Sequence, residues 1–116
     1  MRAYLHAMPT AEFSISSIDL TLPRRLLGVA PLPSTAREVH NAGIVLYRGS
    51  EESSPSGRQR HTFSVEFGSE NAAGVLANWI WTALHGHVST LEIGGDAVPV
   101  QNARIKQALI THAIGI

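Results

Sequence analysis

Strict alternation of apolar and polar residues over positions 60–67 is the feature that most constrains the fold of this chain. His61, Phe63, Val65 and Phe67 share one parity, and the residues between them are polar. Because successive side chains of a strand point to opposite faces, this pattern predicts a strand with one face buried and the other in water. Strands of this kind are typical of antiparallel sheets.

Three further segments complete the predicted sheet. Ala11 to Leu22 is strand-like, but its apolar residues change parity, which predicts a bulge near Ser16-Ser17. Ile44 to Arg48 forms a short apolar strand. Val88 to Val100 is a predicted hairpin. A turn at Gly95-Asp96 pairs Ile93 with Val98 and Leu91 with Val100, and so places four apolar side chains on one face.

Two helices are predicted in the second half of the chain. The first runs from Glu70 to about His85, with Ser69 as N-cap and Gly86 as the terminating residue. Its apolar stripe consists of Ala72, Leu76, Trp79, Ile80 and Ala83. The second follows Asn102, which can cap it. Its stripe consists of Ile105, Leu109 and His112 or Ala113.

The remaining segments are predicted loops. Residues 23–40 contain several prolines and form a long connection, in which Thr35 to Glu38 fits a capping box and can open one helical turn. Gly49 to Gly57 has the composition of a hairpin loop. The predicted architecture is therefore a single α+β domain over residues 1–116. Its order is β-β-β-α-β-β-α, with one largely antiparallel sheet of about five strands and two helices on one face.

Composition narrows the functional classes. Nine basic residues balance nine acidic ones, whereas a dedicated nucleic-acid binder usually carries a basic excess, so nucleic acid is an improbable partner. The absence of cysteine excludes thiolate metal sites and a cysteine nucleophile, and it favours a cytoplasmic protein. No apolar run approaches the roughly 18 residues of a membrane-spanning helix, so no membrane partner is expected.

Trp79 and Trp81 are the most informative pair of residues for function. Two positions on a helix lie about 200° apart around its axis, so both indoles cannot point into one core. Trp79 lies on the apolar stripe and is the predicted core residue. Trp81 then lies on the opposite side, where an exposed tryptophan would resemble the centre of a protein interface.

The sequence thus predicts a binding surface for another protein or for a second copy of the chain. Alternatively, Leu26, Leu27, Val29 and Leu32 of the long loop fold over Trp81 and bury it within the same chain. The predicted partner-binding residues lie on the second face of the first long helix and in the 23–40 loop. They are Val75, Asn78, Trp81, Thr82, His85, Arg24 and Arg25.

Two other functions stay open. His85 and His87 have the spacing of metal ligands on an extended segment and could serve a small metal-dependent hydrolase. Two observations oppose this reading. Zinc needs a third ligand, and a histidine at a helix C-terminus commonly bonds to free carbonyls. A basic cluster could bind nucleic acid weakly. Its members are Arg24, Arg25, Arg48, Arg58 and Arg60.

No serine elbow, phosphate loop or paired-carboxylate motif is present, so no catalytic residue and no cofactor is predicted. The second half, a Trp-bearing helix followed by a Gly-turn hairpin and a final helix, loosely resembles small modules that accompany effectors in bacterial conflict systems. This resemblance covers less than half of the chain and contains no invariant motif. It implies a bacterial protein. The small size, the absence of cysteine and the absence of a catalytic motif also suit a phage inhibitor, and the predicted binding surface suits an adaptor, inhibitor or assembly subunit.

Overall fold

The computed structural model describes residues 10–17, 21–29, 32, 34–39, 42–52, 59–86 and 90–114. These residues form six strands and three helices, and the strands pair in one antiparallel sheet of order β2-β3-β4-β1-β5-β6. The strands are β1 (Thr10–Ser17), β2 (Ala36–Val39), β3 (Gly43–Glu52), β4 (Gln59–Phe67), β5 (Thr90–Ile93) and β6 (Asp96–Val98). The helices are α1 (Leu22–Leu27), α2 (Glu70–Leu84) and α3 (Asn102–Ile114). The predicted α+β class with one antiparallel sheet is confirmed.

The core lies on one face of the sheet, as the alternation in β4 predicts. The buried residues of β4 have the parity that begins at His61, and Phe63 stacks on Phe13 of β1 with ring centroids 4.9 Å apart. Helix α3 packs against β1, β5 and β6, and α2 packs against α3 and α1. The opposite face of the central strands carries charged and hydroxyl side chains, such as Glu12 and Glu66.

The first strand is shorter than predicted. β1 ends at Ser17 and pairs with β4 in an uninterrupted register, so the predicted bulge near Ser16-Ser17 is wrong. Leu22 begins α1 instead of ending a strand. Pro23 occupies the first turn of that helix and Gly28 ends it with a φ of 76°, which is the usual arrangement of proline at a helix start and glycine after its end.

The predicted helical turn at Thr35–Glu38 is also wrong. Residues Ala36–Val39 form β2, which pairs with the first part of β3. The outer edge of β3 carries backbone N–H and C=O groups that need hydrogen-bond partners. The strand pairing with β2 supplies these partners, and it outweighs the local preference of Thr35–Glu38 for a capped helical turn. Arg37 of β2 also reaches α1, where its guanidinium donates to the Leu26 carbonyl at 2.7 Å.

The first part of the predicted loop at Gly49–Gly57 is strand. β3 continues to Glu52, with a bulge between Tyr47 and Gly49 that the φ of 124° at Gly49 accommodates. Residues 53–58 lie outside the described part of the chain.

The hairpin turn lies at Gly94-Gly95, not at Gly95-Asp96. Leu91 pairs with Val98 and Ile93 pairs with Asp96, so the predicted register is wrong by two residues on β6. Both glycines have positive φ, 62° and 90°. A two-residue turn of this kind needs positive φ at both central positions, and this requirement outweighs the apolar pairing that favoured the other register.

The two long helices agree with prediction more closely. Ser69 caps α2 by accepting a hydrogen bond from the Ala72 amide at 3.1 Å. Asn102 is the first residue of α3 and not its cap, because the Ile105 amide bonds to the carbonyl of Gln101. Ile105 and Leu109 are buried as predicted.

Within the described residues, we find no helix with the length and apolar character needed to cross a bilayer.

Candidate protein-binding surface

The two tryptophans of α2 occupy equivalent positions on either side of the buried face. Ile80 lies between them in sequence and is fully buried, so each indole is about 100° away from it around the helix. Both are half-buried and pack against the margin of the core. The prediction that Trp79 is a core residue and Trp81 an outward one is therefore wrong. The predicted angle of about 200° between the two side chains around the helix axis is retained.

Helix α3 abuts the flank of α2 that carries Trp81. Gly74 and Asn78 lie on this flank, about two turns and one turn before Trp81. The Asn102 side-chain amide donates to Asn78 Oδ1 at 3.1 Å, and a methyl group added at Gly74 would lie 3.6 Å from Lys106 Cε. Among the residues of the 23–40 loop expected to cover Trp81, Leu26 and Leu27 are buried on α1, which packs against α2. Val29 and Leu32 of that loop are 52% and 66% exposed.

His85 fixes the orientation of the Trp81 indole. The two rings stack with centroids 4.2 Å apart and planes inclined by 9°. His85 Nδ1 lies 3.0 Å from the carbonyl oxygen of Trp81 and 3.1 Å from that of Thr82. Because carbonyl oxygens only accept hydrogen bonds, Nδ1 carries the proton. The expectation that a histidine at this helix end bonds to free carbonyls is confirmed.

The solvent-facing part of α2 forms one continuous surface, which we call the outer face. Val75 is 45% exposed, and Asn78, Thr82 and His85 are exposed as well. Trp81 borders this surface. The five predicted helix residues therefore do lie together. Their grouping follows from helical spacing and could be read from the sequence.

Arg24 and Arg25 lie elsewhere. Both are exposed on α1, where Arg25 Nε is 3.5 Å from Thr21 Oγ1. No hydrogen bond or ring contact within the described ranges links either arginine to Trp81. The prediction included them as part of a partner-binding surface that the 23–40 loop shares with α2. They lie on α1, which packs against α2, and their membership of one surface with Trp81 stays a prediction.

The histidines do not converge where the structure describes them. His85 Nδ1 is engaged by carbonyl groups, His61 lies in the core, and His112 Nε2 is 3.2 Å from Asp96 Oδ2. His87 lies outside the described residues. Among those that are described, no group of three histidine or acidic side chains could hold a metal ion.

The basic side chains near the end of β3 are matched by acidic ones. Arg60 donates to Glu92 at 2.8 Å and lies 4.0 Å from Glu51. Together with Arg48, Arg60 and Glu51 line an open depression of about 500 Å³ at the β3 bulge. Arg58 lies outside the described residues.

Sequence reasoning missed a buried polar pair on the core face. Tyr47 Oη and His61 Nδ1 share a hydrogen bond of 2.9 Å, and both residues are almost inaccessible. His61 Nε2 is buried and has no partner among the described residues. The alternation in β4 indicated that His61 faces the core, but the pairing with Tyr47 depends on the bulged register between β3 and β4.

We predict that the free energy of unfolding depends on pH because of His61. Burial lowers the pKa of the His61 imidazole below its ordinary value of 6.5. Below that pH the unfolded chain binds a proton that the folded chain does not, so the free energy of unfolding falls as the pH decreases through 6.5 toward the lowered value. The slope for one proton is at most about 1.4 kcal/mol per pH unit. Urea denaturation between neutral and mildly acidic pH measures this slope.

His61→Gln is the matched variant, because glutamine keeps a polar group near Tyr47 but does not titrate. The difference in unfolding free energy between the two proteins should change with pH below 6.5 and stay constant above neutrality. A difference that is independent of pH would assign the acid sensitivity to other groups.

Comparison with known proteins gives no relative. No protein-family model matches the chain, and no curated protein or solved structure is significantly similar to it.

Proposed function

We propose that this protein is a non-enzymatic protein-binding domain, acting in the cytoplasm as an adaptor, inhibitor or assembly subunit. The observation that carries the proposal is the Trp81–His85 stack at the edge of the outer face of α2. A partner that covers this stack buries a large aromatic surface whose orientation is already fixed, so little conformational entropy is lost on binding. Tryptophan is among the residues most enriched in energetically important interface positions.

The surroundings of the stack also support this role. Val75 supplies exposed apolar area on the same face, and Asn78 and Thr82 supply hydrogen-bonding groups around it. An apolar centre with a polar rim is the usual composition of a protein interface. Asn78 is held by Asn102, so part of this rim is ordered before a partner arrives.

Site-specific photo-crosslinking tests the proposal. A benzophenone amino acid at Thr82, which is exposed on the outer face, should form covalent adducts with one or a few proteins in a lysate of the source organism. The matched control carries the same group at Glu66, which is exposed on the helix-free face of the sheet. Mass spectrometry of the adducts identifies the partner.

The expected result is a discrete adduct from position 82 that is absent from position 66. The same adducts from both positions, or adducts from position 66 alone, would contradict the assignment of the outer face as the binding surface.

A further inference from the structure

The helix-free face of the sheet carries an exposed apolar stripe along β3. Ile44 is 45% exposed and Leu46 is partly exposed. Both have the parity opposite to that of the buried Val45, so they lie on the face that points away from the helices. Among the described strand residues, Ile44 is the most exposed large apolar side chain.

Three glutamates border this stripe. The strand register places Glu38 of β2 and Glu66 of β4 directly opposite Ile44, one on each side. Glu12 of β1 is a diagonal neighbour of Glu66 in the register of β1 and β4. All three side chains are exposed, and none of their carboxylates has an ion-pair or hydrogen-bond partner among the described residues. We call this surface the acidic sheet face, and it consists of Glu12, Glu38, Ile44, Leu46 and Glu66.

The described basic residues lie away from the acidic sheet face. Those of the helices are Arg24, Arg25, Arg104 and Lys106. On the strands, Arg37 donates to a carbonyl of α1, and Arg48 and Arg60 line the depression at the β3 bulge, beyond the apolar stripe. Nine acidic and nine basic residues balance over the whole chain, but on this face the negative charge is not matched.

This charge selects the kind of molecule that the face can bind. A second copy that stacked face to face would set glutamates against glutamates, and nucleic acid or an anionic membrane would be repelled. Among the described residues, no group of three histidine or acidic side chains could hold a metal ion. A basic protein segment fits both features, because its cations pair with the carboxylates and its apolar side chains bury the stripe.

We propose that the acidic sheet face binds a basic amphipathic helix of a partner protein. β2 and β4 lie on either side of β3 and are about 10 Å apart, which is the diameter of a helix with its side chains. A helix along β3 sets its apolar stripe on Ile44 and Leu46. Lysine or arginine residues that flank the stripe then reach Glu38 on one side and Glu66 and Glu12 on the other.

This proposal does not depend on the proposed function, because the acidic sheet face and the outer face of α2 lie on opposite sides of the sheet. An antiparallel sheet commonly leaves one face in water, and carboxylates there can serve solubility alone. That role predicts no binding of a basic helix, whereas the proposal predicts binding that depends on both the charges and the apolar stripe.

A synthetic helical peptide tests the proposal. The probe has about 18 residues, enough to form a helix on its own, and carries a leucine stripe flanked on both sides by lysine. Fluorescence anisotropy at low ionic strength should show that the labelled peptide binds the full chain. The matched peptide with glutamate in place of each lysine should not bind. Amide chemical-shift changes on binding should be largest in β3 and its neighbouring strands and small in α2.

Variants of the chain separate specific from diffuse attraction. Glu38→Lys and Glu66→Lys should each raise the dissociation constant of the peptide at least about fivefold, because each removes an attraction and adds a repulsion. Ile44→Ser should raise it by a similar factor, because less apolar surface is buried. Glu70→Lys makes the same charge change in the first turn of α2 and should leave the constant within about twofold of the wild-type value.

Four results would each overturn the proposal. They are absence of peptide binding, equal weakening by Glu70→Lys, full affinity of Ile44→Ser, which would indicate a small cation such as a polyamine, and self-association of the chain that Glu38→Lys abolishes. Val75→Glu should leave peptide binding unchanged, so failure here and failure of the proposed function are distinguishable. A protein caught by the crosslinker at position 66 should be basic and should differ from the one caught at position 82.

Discussion

Phe63→Ala is expected to lower the free energy of unfolding by about 3–5 kcal/mol, the usual cost of removing a fully buried aromatic ring. Phe63 is completely buried in β4, which lies between β3 and β1 in the sheet. Its ring stacks on Phe13 at 4.9 Å and contacts Tyr47 with centroids 5.2 Å apart. Alanine leaves a cavity bounded by two other rings, which cannot both move into it while their strands stay paired.

Urea denaturation measures this loss, and Val75→Ala is the control. Val75 is apolar but 45% exposed, so its truncation should change stability by no more than about 0.5 kcal/mol. Because small domains are stable by only about 5–15 kcal/mol, Phe63→Ala should leave the protein marginally folded. Similar effects at the two positions would contradict the placement of the core on this face of the sheet.

Gly43→Ala is expected to be strongly destabilising, at or above the upper end of the roughly 1–3 kcal/mol typical of overpacking. A methyl group at this position would collide with the backbone carbonyl oxygen of Glu66 and lie 3.3 Å from Phe67 Cβ. Rotation of a side chain cannot relieve a clash with backbone. β3 and β4 would have to separate where their pairing begins.

Gly74→Ala is the matched control in α2. The added methyl group would lie 3.6 Å from Lys106 Cε, an ordinary contact, and the helix should gain about 0.5–1 kcal/mol because alanine loses less conformational entropy than glycine. The two variants thus make the same chemical change with opposite expected signs. A neutral Gly43→Ala variant in thermal unfolding would show that β3 and β4 do not approach closely at this position.

The elements that sequence reasoning located correctly are those with strong local signals. Helix α2 has an apolar stripe within its own residues, a capping serine directly before it and a glycine with positive φ just after it. β4 has an uninterrupted alternation. Both patterns indicate which face of the element packs against the core. The α+β class of the fold could therefore be predicted from them.

The elements that were missed depend on distant partners. β2 is four residues long, and its strand conformation depends on the edge of β3 that it pairs with. The end of β3 is rich in residues typical of loops, and it is held in the sheet by β4. The Gly94-Gly95 turn is different, because the positive φ that such turns require could have been weighed more heavily against the apolar pairing.

The binding surface was predicted in part. Helical spacing correctly separated Trp79 from Trp81 and grouped Val75 with Thr82. It could not show that the buried arc is centred on Ile80, which leaves both indoles at the margin, because that depends on where α3 packs. The stack of His85 on Trp81 follows from their separation of four residues, so this contact was accessible to sequence reasoning.

The affinity of the partner caught at position 82 shows whether the outer face of α2 binds another protein. Calorimetric titration should show that Val75→Glu weakens binding at least about tenfold, because it places a charge in the desolvated centre of the interface. The melting temperature should stay close to that of the wild-type protein, since Val75 is exposed. Unchanged affinity of the Val75→Glu variant would show that the partner does not cover the outer face of α2.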